Sequence, residues 1–135
     1  MKILRLSSLL ALAALGFQPA YAGPSQEPSL YGPTYTACMD KASSTTSMVE
    51  CIGAEHEAQD AKLNAAYKTL MGTLSADRRK QLRTAQRAWI AYRDANCEFY
   101  FDPEGGSIAR LQANDCMLSM TARRAVELDR FGKLE

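Results

Sequence analysis

Apolar residues recur at steps of three and four along most of the chain after residue 34, which is the spacing of amphipathic helices. One stripe consists of Leu63, Tyr67, Leu70 and Leu74. A second, further along the chain, consists of Leu82, Ala85, Trp89, Tyr92, Asn96 and Phe99. The pattern predicts an all-α protein.

Polar clusters and helix breakers divide this pattern into four helices. A short first helix is expected from Thr34 to Ala42. The polar run 43–46 supplies N-cap candidates for a long second helix, and Ser47 and Glu50 have the serine-to-glutamate spacing of a capping box. Ser75, supported by Asp77, is the expected N-cap of the third helix.

The segment 102–107 interrupts the third helix, since proline cannot continue a helix and the Gly-Gly pair is flexible. Ser107 is then the expected N-cap of a fourth helix. Its predicted inner face consists of Ile108, Leu111, Leu118, Ala122 and Ala125. Short links favour antiparallel hairpins, so we predict a small helical bundle with one short helix followed by three longer ones.

The first residues follow the pattern of a secretory signal. Lys2 and Arg5 precede an apolar run that closes on Ala20-Tyr21-Ala22, and the run is too short to cross a bilayer. We expect cleavage after Ala22, a flexible Pro/Gly leader over 23–33 and a single domain over 34–135. No cysteine lies at the cleavage site, so we expect neither a lipid anchor nor membrane insertion after cleavage, and a periplasmic or secreted location.

The charge balance narrows the range of partners. Removing Lys2 and Arg5 from the 16 basic residues leaves 14 against 15 acidic residues, a net charge near −1. Binding to nucleic acid requires a clustered basic surface, so the near-neutral chain argues against a nucleic-acid partner.

Four cysteines, Cys38, Cys51, Cys97 and Cys116, predict two disulfides in an exported chain. A zinc site would require closely spaced pairs, which the sequence lacks. Folding the chain at its first and last turns favours Cys38 with Cys51 and Cys97 with Cys116. The pairing of Cys51 with Cys97, which would leave Cys38 to Cys116, remains an alternative.

An ordered set of motifs runs through the predicted domain. It consists of the cysteines together with Asp60-x-x-Leu63-Asn64-x-x-Tyr67, Gln86-x-x-Trp89-Ile90-x-x-Arg93-Asp94-x-x-Cys97, Gly105-Gly106-Ser107, Arg124 and Leu128. This set resembles the LprI-like lysozyme inhibitor family, with the match running from about Thr34 to Leu128. The resemblance implies a cell-envelope protein whose founding activity is inhibition of lysozyme. The founding type is a lipoprotein, and this chain departs from it at the cleavage site.

The motif residues Asp60, Asn64, Gln86 and Arg93 fall at similar depths on the second and third helices. We predict a structural polar ladder that pairs Asp60 with Arg93 and Asn64 with Gln86, since a carboxylate and a guanidinium can form a bidentate pair. Trp89 is expected to contact Leu63 or Tyr67 beside that ladder.

No catalytic constellation is evident. His56 is the single histidine and falls on the apolar side of the second helix, which suggests a half-buried structural role. The chain has no nucleophile elbow and no phosphate-binding glycine loop, so we expect neither an enzyme nor a bound cofactor or metal.

The expected function is therefore binding of a protein partner, either a lysozyme or another envelope protein. Blocking an enzyme cleft requires a protruding element. The segment 102–107, between the third and fourth predicted helices, is expected to be the most exposed irregular segment. Its candidate partner-binding residues are Asp102, Glu104, Ser107 and Arg110. The alternative is an accessory envelope module without inhibitory activity that binds through a helix face around Tyr92, Phe99, Tyr100 and Phe101, with Phe99 facing inward.

Overall fold

Four helices form the part of the protein that the structure, a computed structural model, describes, which is residues 29–134. In chain order they are α1 (Pro33–Met39), α2 (Thr45–Thr73), α3 (Ala76–Phe99) and α4 (Gly106–Leu134). The prediction of an all-α fold with one short and three longer helices is confirmed. The expected signal peptide over 1–22 and the first part of the leader lie outside the described residues.

The helix boundaries confirm one predicted cap region and correct another. Ser44, within the predicted capping run 43–46, is the N-cap of α2. The capping box pairs Ser44 with Ser47 rather than Ser47 with Glu50, because each serine hydroxyl accepts the other's backbone N–H. Helix α4 already begins at Gly106, so Ser107 lies inside its first turn. The predicted cap at Ser75 is confirmed, because its hydroxyl accepts from the N–H of Arg78 at 3.4 Å.

Two glycines explain the start of α4. Gly106 has a φ of +62°, which an L side chain adopts only with strain. A Cβ on Gly105 would stand 2.6 Å from the Cβ of Ala109, so the chain has no room there for a side chain.

Helices α2 and α4 make the principal contact of the fold. They run in the same direction, because His56 meets Thr121 while Leu70, further along α2, shares a cluster with Leu128, further along α4. Helix α3 runs antiparallel to both and lies against α4. Helices α2 and α3 form the predicted antiparallel hairpin about the short link at Leu74 and Ser75. Each makes closer backbone contact with α4 than with the other, which leaves a groove between them.

A hydrophobic cluster lies at the α2–α3 turn. Its buried members are Leu63, Leu70, Leu74, Leu82, Ala125 and Leu128, with Tyr67 and Trp89 partly buried against them. Buried apolar residues continue away from the turn at Ile52, Leu118 and Ala122. Burying a large apolar side chain contributes about 1.5–3 kcal/mol relative to full exposure, so this cluster stabilises the contact of the three long helices at this end of the bundle.

Both preferred disulfides are present. Cys38 joins Cys51 with a Cα–Cα distance of 5.8 Å, and Cys97 joins Cys116 at 5.5 Å. The first attaches α1 to α2, and the second attaches the end of α3 to α4. The alternative pairing of Cys51 with Cys97 is excluded.

Candidate functional site

The end of the molecule opposite the hydrophobic cluster carries the predicted partner-binding residues. We call it the α3–α4 tip and define it as residues 99–110. Asp102, Glu104, Ser107 and Arg110 are all exposed there. One oxygen of Asp102 accepts the N–H of Glu104 at 2.9 Å, so this carboxylate also shapes the turn.

Exposed aromatic rings flank this acidic loop. Phe99 is 87% exposed, and Tyr100, Phe101 and Ile108 are also exposed. The prediction that Phe99 faces inward is wrong. The buried side of α3 instead passes through Leu82, Gln86, Trp89, Arg93 and Cys97, which turns Tyr92 and Phe99 outward.

The predicted polar ladder has different partners in the structure. The side-chain amide of Asn64 donates to Asp60 at 2.8 Å along α2. Gln86 accepts from the Nε–H of Arg124 on α4 at 3.0 Å. Arg93 pairs with the adjacent Asp94 at 2.8 Å. Within the described residues neither predicted interhelical pair forms, because α3 packs its polar side on α4 rather than on α2.

The four predicted ladder residues and Trp89 nevertheless line one groove between α2 and α3. We call it the α2–α3 groove, and its volume is about 410 Å³. Its walls are Asp60, Leu63, Asn64 and Tyr67 from α2 and Arg83, Gln86, Arg87, Trp89, Ile90 and Arg93 from α3. The two longest motifs of the sequence thus form opposite walls of one concave surface.

A polar junction behind this groove joins three helices. Thr121 on α4 is fully buried, and its hydroxyl accepts from Nη1 of Arg93 at 3.3 Å and lies 3.2 Å from Nε2 of His56. Since the oxygen already accepts from a guanidinium, its own proton is available to the imidazole. The junction therefore suits a neutral His56.

The electrostatic surroundings of His56 agree with that state. Burial lowers the pKa of its imidazole below the ordinary value of 6.5, and the nearby Arg93 charge lowers it further, while Asp60 and Glu57 act in the opposite direction. The partly buried histidine serves as a structural link between α2 and α4.

Trp89 lies beside two guanidiniums. The Cζ atoms of Arg93 and Arg124 stand 5.1 and 5.7 Å from the centre of its indole ring, within the range of cation–π attraction. Arg124 also bonds Glu127 at 2.7 Å. The sequence motif included Arg124 but gave no partner for it, and no pattern pointed to Thr121, because a helix-to-helix contact between side chains depends on rotation about each helix axis.

The segment before α1 is attached to α2 by two side chains that sequence reasoning missed. The buried carboxylate of Glu55 accepts the N–H of Gly32 at 2.9 Å, and the amide of Gln59 donates to the carbonyl of Leu30 at 3.1 Å. A glutamate on the inner face of a helix is the signal that could have revealed this contact, since a buried charge requires a partner.

Comparison of the sequence with known protein families identifies the family of this chain. The sequence profile described as "Lysozyme inhibitor LprI" matches residues 38–128, from the first cysteine to a buried leucine of α4. The chain belongs to the LprI lysozyme inhibitor family. The matched part contains both disulfides, the α2–α3 groove and the α3–α4 tip.

A curated relative gives no further function. The uncharacterized protein R02472 of Rhizobium meliloti (strain 1021) is 31% identical over 102 residues, which cover 65% of this chain and 73% of that protein. No solved structure matches the chain significantly.

LprI proteins form an inhibitor family rather than a catalytic one, and family membership implies a protein partner. Among residues 29–134, no group of three or more His, Cys, Asp or Glu side chains is placed to hold a metal ion. Within the same range no helix is long and apolar enough to cross a membrane.

Proposed function

We propose that this protein is an exported lysozyme inhibitor that binds the enzyme through its α3–α4 tip. The observation that carries the proposal is the exposure of Phe99, Tyr100 and Phe101 beside the acidic loop, in a chain of the LprI family. Large apolar side chains are normally buried, and a cluster of exposed ones marks an interaction surface. Two disulfides support a location in an oxidising compartment, the periplasm or the exterior.

The tip divides into parts with different roles. Lysozyme cleaves a sugar chain between two carboxyl groups, so a side chain that approaches them should be apolar or cationic. Phe99 and Phe101 supply the apolar surface, and Arg110 supplies a guanidinium that can pair with a carboxylate. Asp102 and Glu104 lie on the outer loop, where they attract a basic enzyme and meet its rim rather than its catalytic carboxylates.

An assay of cell-wall lysis tests this proposal. The oxidised protein is titrated against an animal-type lysozyme, next to Phe101→Ala and the matched control Phe131→Ala. Phe101 and Phe131 are 43% and 41% exposed, but Phe131 lies at the far end of α4. We expect inhibition by the wild type and by Phe131→Ala, and a roughly tenfold weaker inhibition by Phe101→Ala. No inhibition by the folded wild type at many-fold excess contradicts the proposal for that class of lysozyme.

A second candidate function is that of an accessory envelope module that binds through a face of α3 and inhibits nothing. Tyr92 and Asn96 of α3 and its C-cap Tyr100 follow one another by single turns and, with residues of α4, line a shallow cavity of about 760 Å³. Loss of envelope-protein capture in Tyr92→Ala, which lies outside the α3–α4 tip, would favour this function if the folded wild type also leaves lysozyme activity unchanged.

A further inference from the structure

The α2–α3 groove contains polar groups that the protein does not use fully. Asn64 gives one N–H to Asp60, but among the described residues its carbonyl oxygen, the other Asp60 oxygen and the Tyr67 hydroxyl have no hydrogen-bond partner. The groove therefore offers both donors and acceptors. A ligand with several hydroxyl groups matches such a surface, because each hydroxyl donates and accepts.

The opposite wall carries two uncompensated charges. Arg83 and Arg87 are exposed, stand one helical turn apart on α3, and have neither a hydrogen bond nor an ion pair within the described part of the chain. Like charges at this spacing repel each other and destabilise a helix. An anion bound between the two guanidiniums would relieve this repulsion and could pair with both of them.

Arg93, the third arginine that lines the groove, already has polar partners within the protein. It pairs with Asp94 and donates to Thr121, so it fixes the floor of the groove rather than attracting a ligand. The free positive charge of the groove is therefore concentrated at Arg83 and Arg87, away from the polar junction.

The size and the remaining surface narrow the ligand class further. A volume of about 410 Å³ lies in the range of small-molecule sites, about 300–1,000 Å³. Tyr67 and Ile90 add apolar surface suited to the face of a sugar ring. A small bare anion would use the arginines but leave this surface and the acceptors of Asp60 and Asn64 unused.

We infer that the α2–α3 groove binds an acidic saccharide of one or two rings, with its carboxylate at Arg83 and Arg87 and its hydroxyls at Asp60, Asn64 and Tyr67. This site is separate from the α3–α4 tip, so it adds a glycan contact to a protein that binds its partner elsewhere. A cell-wall fragment and a uronic acid share this chemistry.

Calorimetric titration, with the fluorescence of Trp89 as a second signal, tests the inference. Trp89 is the single tryptophan of the chain and lines the groove. The first probe is the disaccharide of N-acetylglucosamine and N-acetylmuramic acid, which bears one carboxylate. Chitobiose supplies a similar pair of rings without the acid, digalacturonate supplies the acid on another sugar, and inorganic phosphate supplies an anion without a sugar.

We expect saturable binding of at least one acidic disaccharide to the full chain, and binding of chitobiose and phosphate at least ~10-fold weaker. Binding of both acids assigns the site to acidic sugars in general, and preference for the muramic acid probe assigns it to wall fragments. The double variant Arg83→Gln/Arg87→Gln should also bind at least ~10-fold more weakly. The matched control Lys68→Gln/Lys80→Gln removes two exposed charges outside the groove and should bind as the wild type.

Several results would overturn the inference. One is the absence of binding of either acidic disaccharide by the folded wild type. Equal binding of chitobiose would remove the role of the acid, and equal binding of phosphate would replace the saccharide by a bare anion. Unchanged affinity in the double arginine variant would place the ligand elsewhere. Inhibition of lysozyme by that variant is measured separately, so failure of this site is distinguishable from failure of the tip.

Discussion

At one end of α3, Leu82 lies in a hydrophobic cluster with Leu74 and Leu128, whereas at the other end Phe99 is 87% exposed and the Cys97–Cys116 bond joins the helix to α4. The first end is fixed by burial of apolar side chains. The second end exposes its large aromatic side chains and is attached to α4 by a covalent bond. The difference shows that a surface with large exposed rings can be attached to the rest of the fold without burying those rings.

The largest effect should come from the buried end. Leu128 is fully buried, so Leu128→Ala should lower the free energy of unfolding by about 2–5 kcal/mol, through lost transfer energy and the cavity that remains. Urea unfolding followed by circular dichroism measures it. The exposed Leu134, near the end of the same helix, provides the control, and Leu134→Ala should change stability by less than about 0.5 kcal/mol.

Removing the covalent tie should have a comparable but more local effect. The double variant Cys97→Ser/Cys116→Ser should lose about 3 kcal/mol, as expected for a short disulfide loop. Hydrogen exchange should accelerate mainly at the α3–α4 tip and much less around Leu70 and Leu82. Uniform acceleration along the chain would show that the two ends of α3 are not independent.

The polar junction between the two ends should have a smaller effect. Thr121→Val keeps the side-chain shape but removes the hydroxyl that contacts Arg93 and His56, and we expect a loss of about 1–3 kcal/mol. Thr84→Val is the control, since Thr84 is exposed and its hydroxyl bonds only Lys80 O on its own helix at 3.2 Å. Equal losses in both variants, measured by thermal unfolding, would argue against the junction.

The same junction predicts a pH dependence. His56 has a lowered pKa in the folded protein, so below about pH 6.5 the unfolded chain binds more protons than the folded one. The free energy of unfolding should therefore fall as the pH decreases below that value, and the fall attributable to this residue should end below the folded pKa. His56→Gln should show a shallower dependence in urea unfolding between pH 7 and 5. An unchanged slope would show that other groups control it.

The smallest effect on stability should come from the exposed end. Phe99→Ala removes a ring that is almost fully exposed and should change the free energy of unfolding by less than about 0.5 kcal/mol. Weaker lysozyme inhibition by this variant, without a change in stability, would distinguish a binding surface from a structural one. A large loss of stability would show instead that the ring packs in solution.

Local sequence signals predicted the elements well. The three- and four-residue spacing of Leu63, Leu70 and Leu74 predicted α2, and Ser75 marked the start of α3. Both disulfides followed from the positions of the turns. These features depend on residues close together in the chain, so the sequence contains the information directly.

Rotation of each helix about its axis was harder to predict. The spacing of apolar residues predicted that Tyr92 and Phe99 face the interior. In the structure both are exposed, and Gln86 and Arg93 face α4 instead. The polar side of α3 packs against α4 because Thr121 and Arg124, on a helix distant in sequence, form hydrogen bonds with it. The candidate residues of the groove were identified but paired wrongly for the same reason.

The order of the disulfides along the chain has a consequence for biogenesis. Each cysteine bonds to the next one in sequence, Cys38 to Cys51 and Cys97 to Cys116. A chain that enters an oxidising compartment with its N-terminus first presents each cysteine to its native partner before any other thiol arrives. Oxidation in order of emergence is then sufficient, and the protein should mature with a dithiol oxidase alone, without an isomerase to reshuffle wrong pairs.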